Sequence, residues 1–144
     1  MNGQISHKLS GRIAVKNGQC PNGHSLMSDE TRFEGLKSVR VKIKIAGKQG
    51  ELFLDPVYGR FNYFSELSMK DGDIVEAFCP QCNVSLSIET NCAMCNIHMF
   101  AIQLPDGGEV EVCPKVDCHN HALKIVDIDE QLSRMYLDET KFQM

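Results

Sequence analysis

Strict alternation of apolar and basic side chains marks the clearest element of the chain. From Leu36 to Ala46 the two classes occupy alternate positions, which is typical of a strand with one buried face. The apolar positions are Val39, Val41, Ile43 and Ile45, and the basic ones are Arg40, Lys42 and Lys44. The segment Gly47 to Gly50 then predicts a turn into a return strand, Glu51 to Leu54. That strand ends at Asp55-Pro56, because proline has no N–H to donate to a continuing sheet.

The rest of the pattern predicts shorter elements. An aromatic stretch, residues 57–64, is expected to cover one end of the first hairpin, and Ile74 to Phe78 reads as a short strand. Ile97 to Leu104 and Glu109 to Val112 predict a second hairpin around the Pro-Asp-Gly-Gly turn between them. Asp127 to Leu137 carries apolar residues at helical spacing and predicts a short C-terminal helix.

Composition limits how such a chain can be stabilised. It has 144 residues, of which 42% are hydrophobic and 7% aromatic, with no tryptophan and seven cysteines. A core of this size needs an added covalent or metal constraint. No signal peptide and no membrane-spanning stretch is recognisable, so we expect a cytoplasmic protein. In a reducing compartment clustered cysteines favour metal binding over disulfides.

The cysteines fall into short pairs that have the spacing of metal ligands. Two donors separated by two to four residues on a tight turn supply half of a tetrahedral site. The four pairs are Cys20 with His24, Cys79 with Cys82, Cys92 with Cys95, and Cys113 with Cys118. Four pairs predict two sites, and therefore two zinc ions per chain.

Proline follows the first cysteine in three of the four pairs, and asparagine follows the second cysteine in two of them. Asn83 and Asn96 stand where a left-handed residue is needed. These pairs resemble the zinc knuckles of the zinc-ribbon superfamily, including double zinc ribbons and rubredoxin-like knuckles. The resemblance implies a mainly β fold of small antiparallel hairpins in two zinc-ribbon-like units. With the flanking segments, the predicted division is a loose N-terminal arm (1–19), a first unit with an inserted hairpin (20–91), a second ribbon (92–125) and a C-terminal helix or tail (126–144).

The pairing of the four knuckles is left open by the sequence. One arrangement joins Cys20, His24, Cys79 and Cys82 in one site and Cys92, Cys95, Cys113 and Cys118 in the other. The rival arrangement joins the second knuckle with the third and the first with the fourth. His121 or His119 is an alternative ligand to Cys118, because both lie beside it in the chain.

Function is limited to a class by these features. Eight ligands close two sites without leaving a position for water, and no catalytic grouping is present, so enzyme activity is not expected. We expect a non-enzymatic accessory or interaction module with a protein partner, and the sequence does not indicate its oligomeric state. The alternatives are rubredoxin-like electron transfer and a nucleic-acid-binding zinc ribbon. The net charge of −4 disfavours nucleic acid.

Overall fold

The computed structural model describes residues 13–105, 107–124 and 135–136. Within these ranges the fold is mainly β and consists of two antiparallel sheets, as predicted, without a helical element. The strands are β1 (Met27–Phe33), β2 (Leu36–Ile45), β3 (Lys48–Leu54), β4 (Tyr63–Ser65), β5 (Glu76–Phe78), β6 (Ser87–Asn91), β7 (His98–Gln103), β8 (Glu109–Val112) and β9 (His121–Lys124).

The first sheet is built around β2, the strand with the alternating pattern. Its order is β1-β2-β3-β4, and β5 pairs with the second half of β2 while β1 pairs with the first half. The turn predicted at Gly47 to Gly50 lies two residues earlier in the structure, because β3 already begins at Lys48, which pairs with Ile45. The connection is the two-residue turn Ala46-Gly47, and both residues have positive φ, 50° and 82°. Such a turn has the twist that a tight hairpin requires.

The second sheet is a meander with the order β6-β7-β8-β9. The predicted hairpin is confirmed as β7 and β8, which pair from Phe100 facing Val112 to Gln103 facing Glu109. The outer strands β6 and β9 were not predicted from the sequence. Both belong to the sheet through pairing with β7 and β8 rather than through a strong pattern of their own.

One hydrophobic core joins the two sheets. Val41 and Ile43 of β2 are fully buried in it, together with Ile102 of β7 and Val110 of β8. The predicted arm is described only from Ile13 onward, and Ile13 to Val15 belong to this core or are buried beside it. The predicted division of the chain at residues 91 and 92 stays a prediction.

The predicted C-terminal helix lies outside the described residues except for Met135 and Tyr136. Two residues are too few to support it. Tyr136 forms an isolated antiparallel bridge with Ile13, and the carbonyl of Met135 accepts the N–H of Ala14 at 3.0 Å. Among the described residues no helix has the length and apolarity needed to cross a membrane.

Candidate metal centres

The structure collects the eight predicted ligands into two groups of four. Within each group the donor atoms all lie within 4.8 Å of one another. Site one consists of Cys20, His24, Cys79 and Cys82, and site two consists of Cys92, Cys95, Cys113 and Cys118. The first of the two predicted pairings is therefore the one that the fold brings together. All seven cysteines are free thiols.

Strand β7 explains how the knuckles of site one meet. Gln19, directly before Cys20, exchanges two backbone hydrogen bonds of 2.9 Å with Gln103 at the end of β7. Leu86, just after the second knuckle, accepts the N–H of Ala101 on the same strand at 2.9 Å. Two segments far apart in the sequence are thus attached to neighbouring positions of one strand, and their knuckles face each other.

Each knuckle is closed by its own backbone. The N–H of Cys79 donates to Val84 and the N–H of Asn83 donates to Cys79, both at 2.9 Å. Asn83 has a φ of 65° and Asn96, at the equivalent place in site two, has 58°. The prediction of left-handed asparagines is therefore confirmed. Asparagine tolerates this conformation better than other residues with a side chain.

Site two is assembled by the β7–β8 hairpin. Strand β7 begins shortly after the third knuckle, Cys92 to Cys95, and β8 ends directly before Cys113 of the fourth knuckle. The N–H of Cys113 donates to the carbonyl of Asn120 at 3.2 Å. The left-handed residue of this longer knuckle is Asp117, which has a φ of 80° and precedes Cys118. In each site two cysteines are buried and the other two ligands are half-buried.

The donor separations match a tetrahedral metal site. With zinc–sulfur bonds of about 2.3 Å and zinc–nitrogen bonds of about 2.0–2.1 Å, the edges of a tetrahedron are about 3.8 Å between sulfurs and about 3.6 Å between sulfur and nitrogen. The Sγ atoms of Cys20 and Cys82 are 3.7 Å apart, and Cys20 Sγ is 3.6 Å from His24 Nδ1. In site two, Cys92 Sγ and Cys118 Sγ are 3.8 Å apart. The residues present therefore fit an ion with four protein ligands.

Two asparagines that the sequence analysis did not select also face the sulfurs. The Asn22 side chain donates to Cys82 Sγ at 3.4 Å, and the Asn120 side chain donates to Cys92 Sγ at 3.2 Å. Each asparagine lies two residues after a ligand cysteine, but each donates to a sulfur of the opposite knuckle. Their position in the sequence therefore does not identify the sulfur that each one contacts. That sulfur is known only once the fold has paired the knuckles.

Hydrogen bonds to sulfur and burial separate the thiols by acidity. The Asn22 side chain, and next the backbone at Val84, lower the pKa of Cys82 to about 6. Burial raises the pKa of Cys92, but donors led by Asn120 and the Met94 N–H outweigh it and lower the value to about 6. These donors favour the thiolate, which is the form that binds a metal.

The other ligands respond differently. Burial raises the pKa of Cys113 and of Cys79. Hydrogen bonding to the sulfurs of Cys20 and Cys82 raises the pKa of His24. A bound cation would oppose each of these shifts, because its charge favours thiolate and neutral imidazole. Each site is thus complete in donors, and a bound cation would offset the charge of its sulfurs.

His119 and His121 do not belong to either group of donors. The His119 ring stacks on Phe61 with 4.3 Å between ring centroids, and the His121 ring stacks on Tyr58 at 4.6 Å. In the described part of the chain the structure places Cys118, and not a neighbouring histidine, in site two.

The comparisons with known proteins give no further identification. No protein-family model, no curated protein and no solved structure matches the chain.

Proposed function

We propose that this chain is a non-enzymatic zinc protein of the cytoplasm, in which two structural zinc ions hold a surface for a protein partner. The observation that carries the proposal is the pair of four-donor sites whose separations fit a tetrahedral ion. Structural zinc sites are closed by four protein ligands, whereas catalytic ones keep a position for water. The zinc-ribbon-like character of the knuckles is part of this proposal.

The donor sets favour zinc. Site one combines three thiolates with the His24 imidazole, and site two has four thiolates. Tetrahedral thiolate and imidazole donors suit zinc, and the histidine makes iron a poorer match for site one. Zinc has no redox chemistry, which agrees with a structural role.

Exposed aromatic side chains mark the surface proposed for the partner. Phe61, Tyr63 and Phe64 are 40%, 48% and 52% exposed. Tyr63 and Phe64 lie on β4, the last strand of the first sheet, so this edge combines a strand with large apolar side chains. Adjacent exposed aromatics of this kind are typical of surfaces that bind proteins. We call residues 61–64 the aromatic edge.

Site-specific crosslinking tests this surface. A photoreactive amino acid in place of Phe64 should give a discrete crosslinked product in cells. The same amino acid in place of Glu30, which is exposed on β1 at the opposite edge of the sheet, should not. No product from position 64, or the same product from both positions, would contradict the proposed surface.

Electron transfer is the alternative with a specific observation behind it, because site two is made of cysteine alone. An iron-loaded site of this kind is coloured, so the visible spectrum of the purified protein decides between the two ions.

The nucleic-acid alternative has weaker support. Arg40 is paired with Glu51 at 2.9 Å, and the Lys44 ammonium lies 4.9 Å from the centre of the Phe78 ring. The basic face is therefore partly occupied by its own neighbours.

A further inference from the structure

A cleft separates the inner faces of the two sheets on the side of the aromatic edge. Its volume is about 140 Å³. Val39 of β2 and Val110 of β8 line its two sides, and Val57 lies in the loop after β3 that borders it. Phe61 and Tyr63, which are exposed, also line the cleft, so it reaches the surface.

Valine is the residue that lines the cleft most often. Seven valines line the cleft, among them Val39, Val57, Val110 and Val112. Stacked sheets lie about 10 Å apart, and residues that meet across this distance normally fill it to the density of an organic crystal. The lining is mostly apolar, because Leu52, Phe100 and Ile102 join the valines, and a few polar side chains such as Arg60 also border the cleft.

Aromatic rings form the mouth. Tyr58 stacks on His121, and the Phe61 ring lies 4.7 Å from His121 and 4.3 Å from His119. Within the described residues the side chain of His121 has no hydrogen-bond partner, although its backbone carbonyl receives the Tyr58 hydroxyl at 3.5 Å. Burial, with the nearby His119, lowers the pKa of His121 and favours the neutral ring.

We propose that this cleft binds a small, uncharged, monocyclic aromatic compound of the phenol type. The volume suits one ring, because apolar protein cavities of about 150 Å³ bind benzene. The valines would enclose the ring, and the His121 imidazole would hydrogen-bond its hydroxyl group at the mouth. This assignment goes beyond the proposed role of the zinc sites and does not depend on a protein partner.

Methyl NMR on the full-length, zinc-loaded protein tests the cleft, with benzene and phenol as the two probes. We expect saturable shifts of the methyl groups of Val39, Val57 and Val110 at concentrations on the order of millimolar or lower. Phenol should bind about fivefold more tightly than benzene, as one added hydrogen bond allows. Absence of saturable shifts at these valines with both probes would overturn the proposal.

Two variants separate the enclosure from the hydrogen bond. Val112→Phe places a ring in the cleft and should weaken both probes by roughly tenfold or more, because two groups cannot occupy one volume. Ile74→Phe, at an exposed isoleucine outside the cleft, should leave both affinities unchanged. His121→Phe keeps a ring at the stacking position and should preserve benzene binding while removing the preference for phenol.

The outcomes are distinct. Equal binding to the parent protein and to a folded Val112→Phe variant would place the probes elsewhere and overturn the assignment. An unchanged preference for phenol in His121→Phe would overturn the role of the imidazole. If Val112→Phe does not fold, the methyl shifts of the parent protein and the His121→Phe comparison decide the question.

Discussion

The Asn120 side chain offers the most informative perturbation of site two. It donates to Cys92 Sγ at 3.2 Å, and the other N–H donors to that sulfur are the backbone groups of Met94, at 3.4 Å, and Cys95. Asn120→Ala removes the first donor and keeps the backbone carbonyl that accepts the N–H of Cys113. The four ligands remain, so the variant tests tuning of the metal and not its loss.

The expected loss of zinc affinity follows from the position of this hydrogen bond, which is made to a metal ligand. Groups that hydrogen-bond a metal ligand typically contribute 10–100-fold to affinity, which is about 1.4–2.8 kcal/mol. We therefore expect Asn120→Ala to weaken one zinc ion of the two by about that factor and to leave the other unchanged. Asn22→Ala should do the same to the other ion, because Asn22 donates to Cys82 of site one.

Competition with a chromophoric chelator measures both affinities. Cobalt substitution identifies the weakened site, because four thiolates give stronger charge-transfer absorption than three with a histidine. Asn17→Ala is the control. This asparagine is exposed and is not one of the two that donate to a ligand sulfur, so the variant should match the parent. Parent-like affinities in Asn120→Ala, or equal weakening of both ions, would refute the assigned role of this side chain.

Three further changes test the fold and its charges. Asp55→Ala removes a buried carboxylate that accepts N–H bonds of 2.9 Å from Val57 and Asn62, and should lower the free energy of unfolding in urea by about 3 kcal/mol. The Asn22 side chain lowers the pKa of Cys82 to about 6, so protons compete with the metal for this sulfur as the pH falls through that value. The zinc affinity of site one, measured by chelator competition, should therefore weaken as the pH falls through about 6, and Asn22→Ala should move this weakening to higher pH. Ala46→Asn should raise the melting temperature, with a gain of about 0.5–1 kcal/mol, because asparagine suits the positive φ before Gly47.

Each of these has a control or a contrary result. Asp29→Ala, on an exposed carboxylate, should change the free energy of unfolding by less than about 0.5 kcal/mol. The same pH dependence of zinc affinity in Asn22→Ala and the parent would contradict the effect of this donor on Cys82. A lower melting temperature for Ala46→Asn would contradict the two-residue turn.

Local signals explain which strands could be predicted. Strand β2 has a strict apolar and basic alternation, and the β7–β8 hairpin surrounds a Pro-Asp-Gly-Gly turn. Strand β1, by contrast, is polar at five of the positions in MSDETRF, and β6 reads SIETN. Such edge strands have no strong period of their own, and pairing with the next strand along the chain, β2 or β7, makes them strands.

The ligands could be identified from spacing, but their grouping could not. A knuckle is a local structure, whereas the attachment of Gln19 and Leu86 to β7 is a property of the whole fold. The same holds for His121, whose position beside Cys118 suggested a ligand. Its stacking partner Tyr58 is distant in the sequence, so only the folded chain shows that the ring lies at the mouth of the cleft.

Elemental analysis of the purified protein tests the central claim most directly, with Cys95→Ser as the matched variant. The account predicts two zinc ions per chain and no iron in the parent. It predicts one ion fewer in the variant, together with loss of the hairpin at Ile97 to Val112 in circular dichroism or NMR. Stoichiometric iron in the parent, or the same zinc content in the variant as in the parent, would contradict it.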